Sequence, residues 1–293
     1  MRSELEKAVE ILAKDEAGSL DEALLLLRRT VFSFAMKVCG QEQDAEDTAQ
    51  EVLFKSLPHL DRLADARALS AWLYRSAMNR CWQNRRKVSY RREVALDDLV
   101  PTEAELSGLL EDKGTADPES QSLHREDQER LHAAVLRLPP QYRIVLVLHD
   151  MEELDTELVA KILSLAPGTV RVRLHRARLL VRKEISKAGN VPRAPRPSNT
   201  PAKSRPLECQ KIFANLSEYM DDVLPIESCE RMRSHIETCP TCLAFIDDLK
   251  RAIDRCRSLE FCPPTDAPPA LKRLLTEEYR RLVQHPSGNQ GRR

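Results

Sequence analysis

Wherever this chain carries enough apolar residues to build a core, they recur at helical spacing. Leu24, Leu27, Val31, Phe34 and Val38 fall on one stripe, and Ala45, Ala49, Val52, Leu53 and Leu57 repeat the pattern. Leu73, Ala77 and Cys81 mark one side of a helix over residues 70–87. Few stretches combine β-branched and aromatic residues as strands do. Aromatics are only 4% of the chain, and Leu, Ala, Glu and Arg dominate. These are good helix formers, so the chain reads as all-α with small aliphatic cores.

Proline marks the joints. Pro192, Pro195, Pro197, Pro201 and Pro206 fall in a stretch almost without large apolar residues, so residues 189–206 read as a linker. Residues 93–121 are acidic, carry Gly108, Gly114 and Pro118, and read as a second connector. The chain of 293 residues, a length that suits two or three domains, divides accordingly. Residues 3–92 form a first helical block. Residues 122–188 form a second, with helices expected before Pro139–Pro140, from Gln141 to about Met151, over 156–163 and over 167–186. Residues 207–262 form a third, and 263–293 are a tail with one short helix.

Formal net charge is zero, which alone argues against nucleic acid. The distribution argues for it. Between residues 75 and 92 every charged side chain is basic, and between 171 and 187 Glu184 is the single acid. In residues 93–119 between them, Lys113 is the single base. Charge gathered into blocks suggests local binding surfaces. No apolar run approaches the roughly 20 residues that span a bilayer, and the N-terminus lacks a signal-peptide core. A cytoplasmic location is expected, with no membrane contact, all eight Cys reduced and clustered Cys serving as metal ligands.

Residues 155–183 have helix-turn-helix form. Asp155 or Thr156 can cap a short helix whose Leu158, Val159 and Ile162 face inward. A turn follows at 164–166, and Pro167 suits the first position of the next helix. Val170, Leu174, Ala177 and Val181 form its apolar stripe, leaving Arg171, Arg173, His175, Arg176 and Arg178 at or beside the exposed face. Such a helix can enter a major groove, with Arg reaching guanine edges and phosphates. Residues 70–92 offer a different surface. There Trp72, Tyr74 and Trp82 are interleaved with Arg75, Arg80, Arg85, Arg86 and Lys87, a combination suited to single strands. Trp72 reads as core, and Trp82, beside Asn79, Gln83 and Asn84, as more exposed.

His235-x3-Cys239-x2-Cys242 is the sharpest chemical signal. A helix puts residues four apart on one face, so His235 and Cys239 converge, and Cys242 returns at the start of the next helix. Two thiolates and an imidazole favour zinc, and a closed structural site needs a fourth ligand. Cys209 and Cys229 are both candidates. Cys209 is preferred because it precedes an apolar helix carrying Ile212, Leu216 and Tyr219. Cys39 and Cys81 lie in apolar patterns and read as core, whereas Cys256 and Cys262 have no clear partners.

The stretches DAEDTAQEVLFKSL (44–57), AWLYRSAMNRCWQNRRK (71–87), Leu138–Pro139 and GTVRVRLHRAR (168–178) together resemble the extracytoplasmic-function (ECF) group of the sigma-70 family. The resemblance implies that the first block docks on RNA polymerase and captures the −10 element, and that the second reads the −35 element as duplex. The acidic connector would thread the polymerase cleft. Asp44, Glu46, Asp47 and Gln50 then match the polymerase-binding helix. Asn79, Arg80 and Asn84 match the −10 helix, with Arg86 beside them, and residues 58–70 match the loop that takes a flipped base. Thr169, Arg171, Arg173, Arg176 and Arg178 match the −35 helix, where Val172 replaces a usual small polar residue. Residues 207–262, with Cys209, residues 216–221, His235, Cys239 and Cys242, resemble the zinc-binding domain of anti-sigma factors, which implies one zinc and an intramolecular contact with the sigma blocks.

A second reading is a helix-turn-helix regulator whose zinc module senses or dimerises. The two-block pattern and the acidic helix favour the sigma reading. No phosphate loop, nucleophile elbow or paired catalytic carboxylates support an enzyme, and nothing near Cys242 suggests the open position of a catalytic zinc.

Overall fold

The computed structural model describes residues 3–13, 19–62, 65–84, 99, 121–188, 207–264 and 269–284, and every regular element among them is helical. The elements are α1 (Ser3–Ala13), α2 (Ser19–Cys39), α3 (Glu42–Ser56), a 3-10 turn (Leu57–Arg62) and α4 (Ala66–Asn84). Then come α5 (Gln121–Arg137), α6 (Pro140–Leu146) and a π turn (Val147–Met151). They are followed by α7 (Thr156–Leu163), α8 (Pro167–Ala188), α9 (Leu207–Met220), α10 (Ile226–Thr238), α11 (Pro240–Arg257) and α12 (Pro269–Gln284). The chain forms two compact units. One comprises residues 1–88, 152–165 and 260–293, the other 89–151 and 166–259. The units cut across the sequential blocks, for the helix-turn-helix pair is divided, α7 in the first unit and α8 in the second.

In the first unit the α2 stripe of Leu24, Leu27, Val31, Phe34 and Val38 is buried, as its spacing requires. Gly40 stops the helix. Its φ of 80° is open to glycine, and its N–H closes on the Met36 carbonyl at 3.0 Å. α3 turns back with Ala45, Ala49, Val52 and Leu53 inward, and α4 adds Leu69, Leu73, Ala77 and Met78. Cys39 and Cys81 are core, as expected, but they are joined in a disulfide rather than reduced. The ends of α2 and α4 bring their Cα atoms to 5.5 Å, inside the range that a disulfide bridges.

In the second unit α5 breaks at Pro139–Pro140 because proline cannot extend the ladder. α6 and the π turn bury Tyr142, Ile144, Val145, Leu146, Val147 and Leu148, and Val170, Leu174, Ala177 and Val181 of α8 meet the same core. A second core gathers Leu179 with Cys209, Phe213, Leu216, Phe245, Ile246 and Leu249. Phe213 and Phe245 meet edge-on, with centroids 4.8 Å apart. None of the described helices is long and apolar enough to cross a membrane.

Candidate nucleic-acid interface and metal centre

On α3 the apolar stripe faces inward and leaves the acids outside. Asp47 is exposed, and Asp44, Glu46 and Gln50 are half-buried. Glu46 has Arg28 within 3.8 Å. Glu51 is held below the ordinary carboxylate range, first by its 2.6 Å hydrogen bond from Lys55 and then by Arg80.

α4 departs from a uniform single-strand platform. Asn79 is exposed, and half-buried Arg80 pairs with Glu51 at 2.7 Å. Arg86 and the side chain of Asn84 lie outside the described residues. Tyr74 belongs to the interior. Its ring sits 4.8 Å from Phe34, and its hydroxyl donates to Glu152 at 2.8 Å. Lys37 pairs with the same carboxylate at 2.8 Å, and neither charged side chain is exposed to solvent. Trp72, read as core, is only half-buried, as is Trp82, because α4 buries its Leu69–Leu73–Ala77 side and turns the Trp72 edge outward. Arg75 donates to the carbonyls of Ile162, at 3.1 Å, and Lys161, closing the C-terminal end of α7.

α7 starts on Asp155, whose carboxylate accepts from the Leu158 amide at 2.8 Å, and ends on Ser164 at φ 55°. Asp155 also meets Arg67 at 2.7 Å. On α8, Thr169 is exposed, and Arg173 and Arg176 are half-buried, Arg176 within 3.4 Å of the Tyr142 hydroxyl. Val172 is 55% exposed. At 100° per residue these four share one side of the helix. Arg171, His175, Arg178 and Arg182 fall on another.

Two members of that second set correct the expectation of an exposed face. His175 is buried, with Nδ1 2.9 Å from Ser217 Oγ, and Nε2 has no hydrogen-bond partner. Burial, then the nearby Arg178 and Arg176, bring its pKa down to about 4, so it is neutral near pH 7. Arg178 is 1% exposed. It meets Asp150 at 2.8 and 2.6 Å and Asp221 at 2.9 and 2.7 Å. Burial works against its charge, but the two carboxylates prevail and raise its pKa. The π turn, which carries Asp150, makes this possible and leaves no signal in the hydrophobic pattern. Arg182 lies 4.6 Å above the Phe245 ring and pairs with Asp248 at 2.5 Å.

The cysteine cluster assembles as expected, with Cys209 as fourth member. Ligand atoms of Cys209, His235, Cys239 and Cys242 lie within 4.8 Å of one another. His235 Nε2 is 3.5 Å from both Cys209 Sγ and Cys242 Sγ. A tetrahedral zinc with Zn–S of about 2.3 Å and Zn–N of about 2.0 Å demands an S-to-N edge of roughly 3.5 Å. The donor set therefore fits zinc in kind and number, and its two His235 edges fit in spacing. Cys239 serves α11 as N-cap, and the Cys242 amide and thiol lower its pKa against the opposing effect of burial. Burial and the adjacent thiols raise Cys242, the mutual repulsion that a bound cation removes. Cys229 stays apart, its thiol 3.5 Å from the Leu224 carbonyl.

Comparison with known proteins agrees with this anatomy. Residues 25–91 match the family "Sigma-70 region 2", residues 128–181 match "Sigma-70, region 4", and residues 209–243, which hold all four clustered ligands, match "Putative zinc-finger". The chain is 28% identical over 189 residues to the ECF RNA polymerase sigma factor SigW of Bacillus subtilis, covering 63% of this chain and 98% of the relative. It is 27% identical to the RNA polymerase sigma-H factor of Pseudomonas aeruginosa, covering 61% and 93%. With the ECF RNA polymerase sigma-E factor of Escherichia coli it shares 31% over 144 residues, 48% of this chain and 74% of that one. SigW is thus matched almost end to end while a third of this chain is left over. Two sigma regions in order, followed by an added zinc-finger module, place this chain in the ECF group of the sigma-70 family of transcription initiation factors.

Proposed function

We propose that this chain directs core RNA polymerase to promoters and carries, in cis, the zinc module that restrains its −35 helix. Residues 3–92 act as the polymerase-docking and −10 domain, with Asp44, Glu46, Asp47 and Gln50 on polymerase and Asn79, Arg80, Asn84 and Arg86 on the −10 strand. Residues 122–188 form the −35 domain, joined to the first by 93–121. Thr169, Arg173 and Arg176 share the open side of α8 and are its readers. Arg171 lies on the opposing side, with a buried Nε that has no hydrogen-bond partner, and Arg178 is withdrawn from DNA.

The observation that carries the regulatory part is the neutralisation of Arg178 and Arg182 on α8 by Asp221 and Asp248 of the zinc module. The residue 189–206 linker supplies the tether, which keeps the module at an effective concentration of about millimolar and lets modest contacts hold. Zinc on Cys209, His235, Cys239 and Cys242 would fix α9 to α10 and α11, and so fix the two carboxylates.

Run-off transcription with core polymerase tests both parts, comparing the full chain with one ending near residue 190. The shortened chain should initiate at the same start sites and more strongly. Equal output from the two would reduce the module to an appendage, and no initiation by either would remove the sigma assignment.

A further inference from the structure

Within the second unit the zinc module takes one side of α8. His175, Arg178 and Arg182 meet Ser217, Asp221 and Asp248, and Leu179 enters the module's core. Over the first three turns the other side stays open. A Cβ added at Gly168 would meet nothing within 4 Å, Thr169 is exposed, and Arg173 and Arg176 are half-buried beside it. Val172 stands among them, 55% exposed. At 100° per residue the four side chains span an arc of about 100°. Three of them are polar or cationic, and Val172 is the apolar member.

A single exposed valine is ordinary on a protein surface, so exposure by itself assigns nothing. The company it keeps does. Valine is a poorer helix former than the Arg and Leu residues around it, and with half its side chain in water it adds little to the core. It offers no hydrogen bond. In a major groove lined by donors and acceptors, the apolar group it can meet is the 5-methyl of thymine, which no other base carries. Cytosine and adenine present amino groups there, which a valine would strip of water without replacing the lost bond. We propose that Val172 is a base-reading residue that takes the 5-methyl group of a thymine in the −35 duplex. The inference rests on the promoter reading above, because it matters only if the open side of α8 enters a groove. Arg173 and Arg176 supply the complementary charge and suit guanine edges. Val172 and Arg176 lie about 6 Å apart along the helix axis, less than two base steps of about 3.4 Å. The thymine should therefore fall within two steps of a guanine. A small polar residue, usual at this position in the family, cannot make the same apolar contact, so the preference belongs to this chain.

The test uses the full chain bound to core RNA polymerase. A pool of duplex DNA with a randomised upstream segment is enriched by binding to this holoenzyme. Each thymine of the enriched −35 element is then replaced by uracil, which removes the methyl group and keeps every hydrogen-bonding group. At one thymine the wild type should lose about four-fold in affinity, the factor that burial of one methylene-sized group gives. Val172→Ser should bind the thymine and uracil duplexes alike, and Val172→Ile, which stays apolar, should keep the loss. A purely structural role for Val172 would lower affinity for both duplexes equally. Unchanged helical content and zinc content show that the variants are folded. No uracil penalty at any thymine, or one equal in wild type and Val172→Ser, overturns the proposal. Loss of selection in Arg173→Ala and Arg176→Ala would then keep the promoter reading standing without it. If no upstream element is enriched although the holoenzyme initiates transcription, the −35 role of α8 fails together with the proposal, and the sigma assignment stands.

Discussion

Arg178 shows how a basic residue on the second helix of a helix-turn-helix pair can serve the interior instead. Its guanidinium is buried and meets two carboxylates, and the balance holds only while both remain. Asp150 is wholly buried, so Asp150→Ala leaves a cation in a dry site and should cost about 3–5 kcal/mol of stability. Asp221 is partly open to water, and Asp221→Asn should cost less. Urea titration of the two variants measures the difference, and equal losses would contradict the burial argument. His175 adds a pH dependence whose sign is fixed. Its folded pKa of about 4 lies below the ordinary value of 6.5, so between these limits the unfolded chain binds a proton that the folded chain refuses. Stability is therefore full above about pH 6.5 and falls as pH drops toward 4, by at most about 3 kcal/mol. Asp150, held well below its ordinary value by Arg178, stays ionised in the folded chain through this window, and its protonation in the unfolded chain adds slope only below about pH 5. His175→Asn should keep a partner for Ser217 and flatten the difference between pH 7 and pH 5. Any pH response of a zinc held by the cysteine cluster would be common to both chains and would cancel in the comparison. A variant that loses as much stability on acidification as the wild type would sink the assignment to His175.

At the scale of elements, local signals were legible where backbone chemistry alone decides. Asp155 capping α7, Pro139–Pro140 dividing α5 from α6, and Pro167 opening α8 all stand where the sequence puts them. The His235–Cys239–Cys242 knuckle was equally plain, because i, i+4 spacing and a Cys-capped helix fix three ligands with no knowledge of the rest. What could not be read was pairing over long sequence separations between residues that look solvated. Lys37 and Glu152 are charged and belong to distant segments, yet both are wholly buried with the Tyr74 hydroxyl. The single-strand reading of α4 failed at Tyr74 for that reason. Cys39 and Cys81 are each correct as core, and their union depends on helix packing that no local pattern records. The cap supplies a clean check at this scale. Asp155→Ala removes the acceptor for the Leu158 amide and should cost about 1 kcal/mol, nearly all through the cap. The Arg67 pair beside it is exposed at both ends and adds little. Arg67→Ala measured next to Asp155→Ala should therefore be close to neutral, and a larger loss from Arg67→Ala would reverse that ranking.

For the molecule as a whole the decisive question is what zinc holds together. The four donors come from α9, α10, the Cys239 junction and α11, so a single ion would tie three helices that otherwise share a modest core. Asp248 lies on α11 and Asp221 directly follows α9, and these are the two carboxylates that pair with α8. Metal loss should thus be felt at two distances: in the module, and on α8. Zinc that binds only the folded chain stabilises it by about 4 kcal/mol when its free concentration is a thousand times its Kd. Chelation, or Cys239→Ser with Cys242→Ser, should remove that stabilisation and lower Tm by roughly 8–16 °C, at about 2–4 °C for each kcal/mol in a compact unit as long as the second one. The purified chain should carry one zinc, and the double variant none. If the carboxylates transmit the loss, amides of α8 should exchange faster in the zinc-free chain, and run-off transcription should rise toward that of the chain ending near residue 190. Asp221→Ala with Asp248→Ala should reproduce the rise in transcription while retaining zinc, which separates the latch from the metal that positions it. Zinc loss that destabilises α9–α11 and leaves α8 exchange and transcription unchanged would show that the metal serves the module alone.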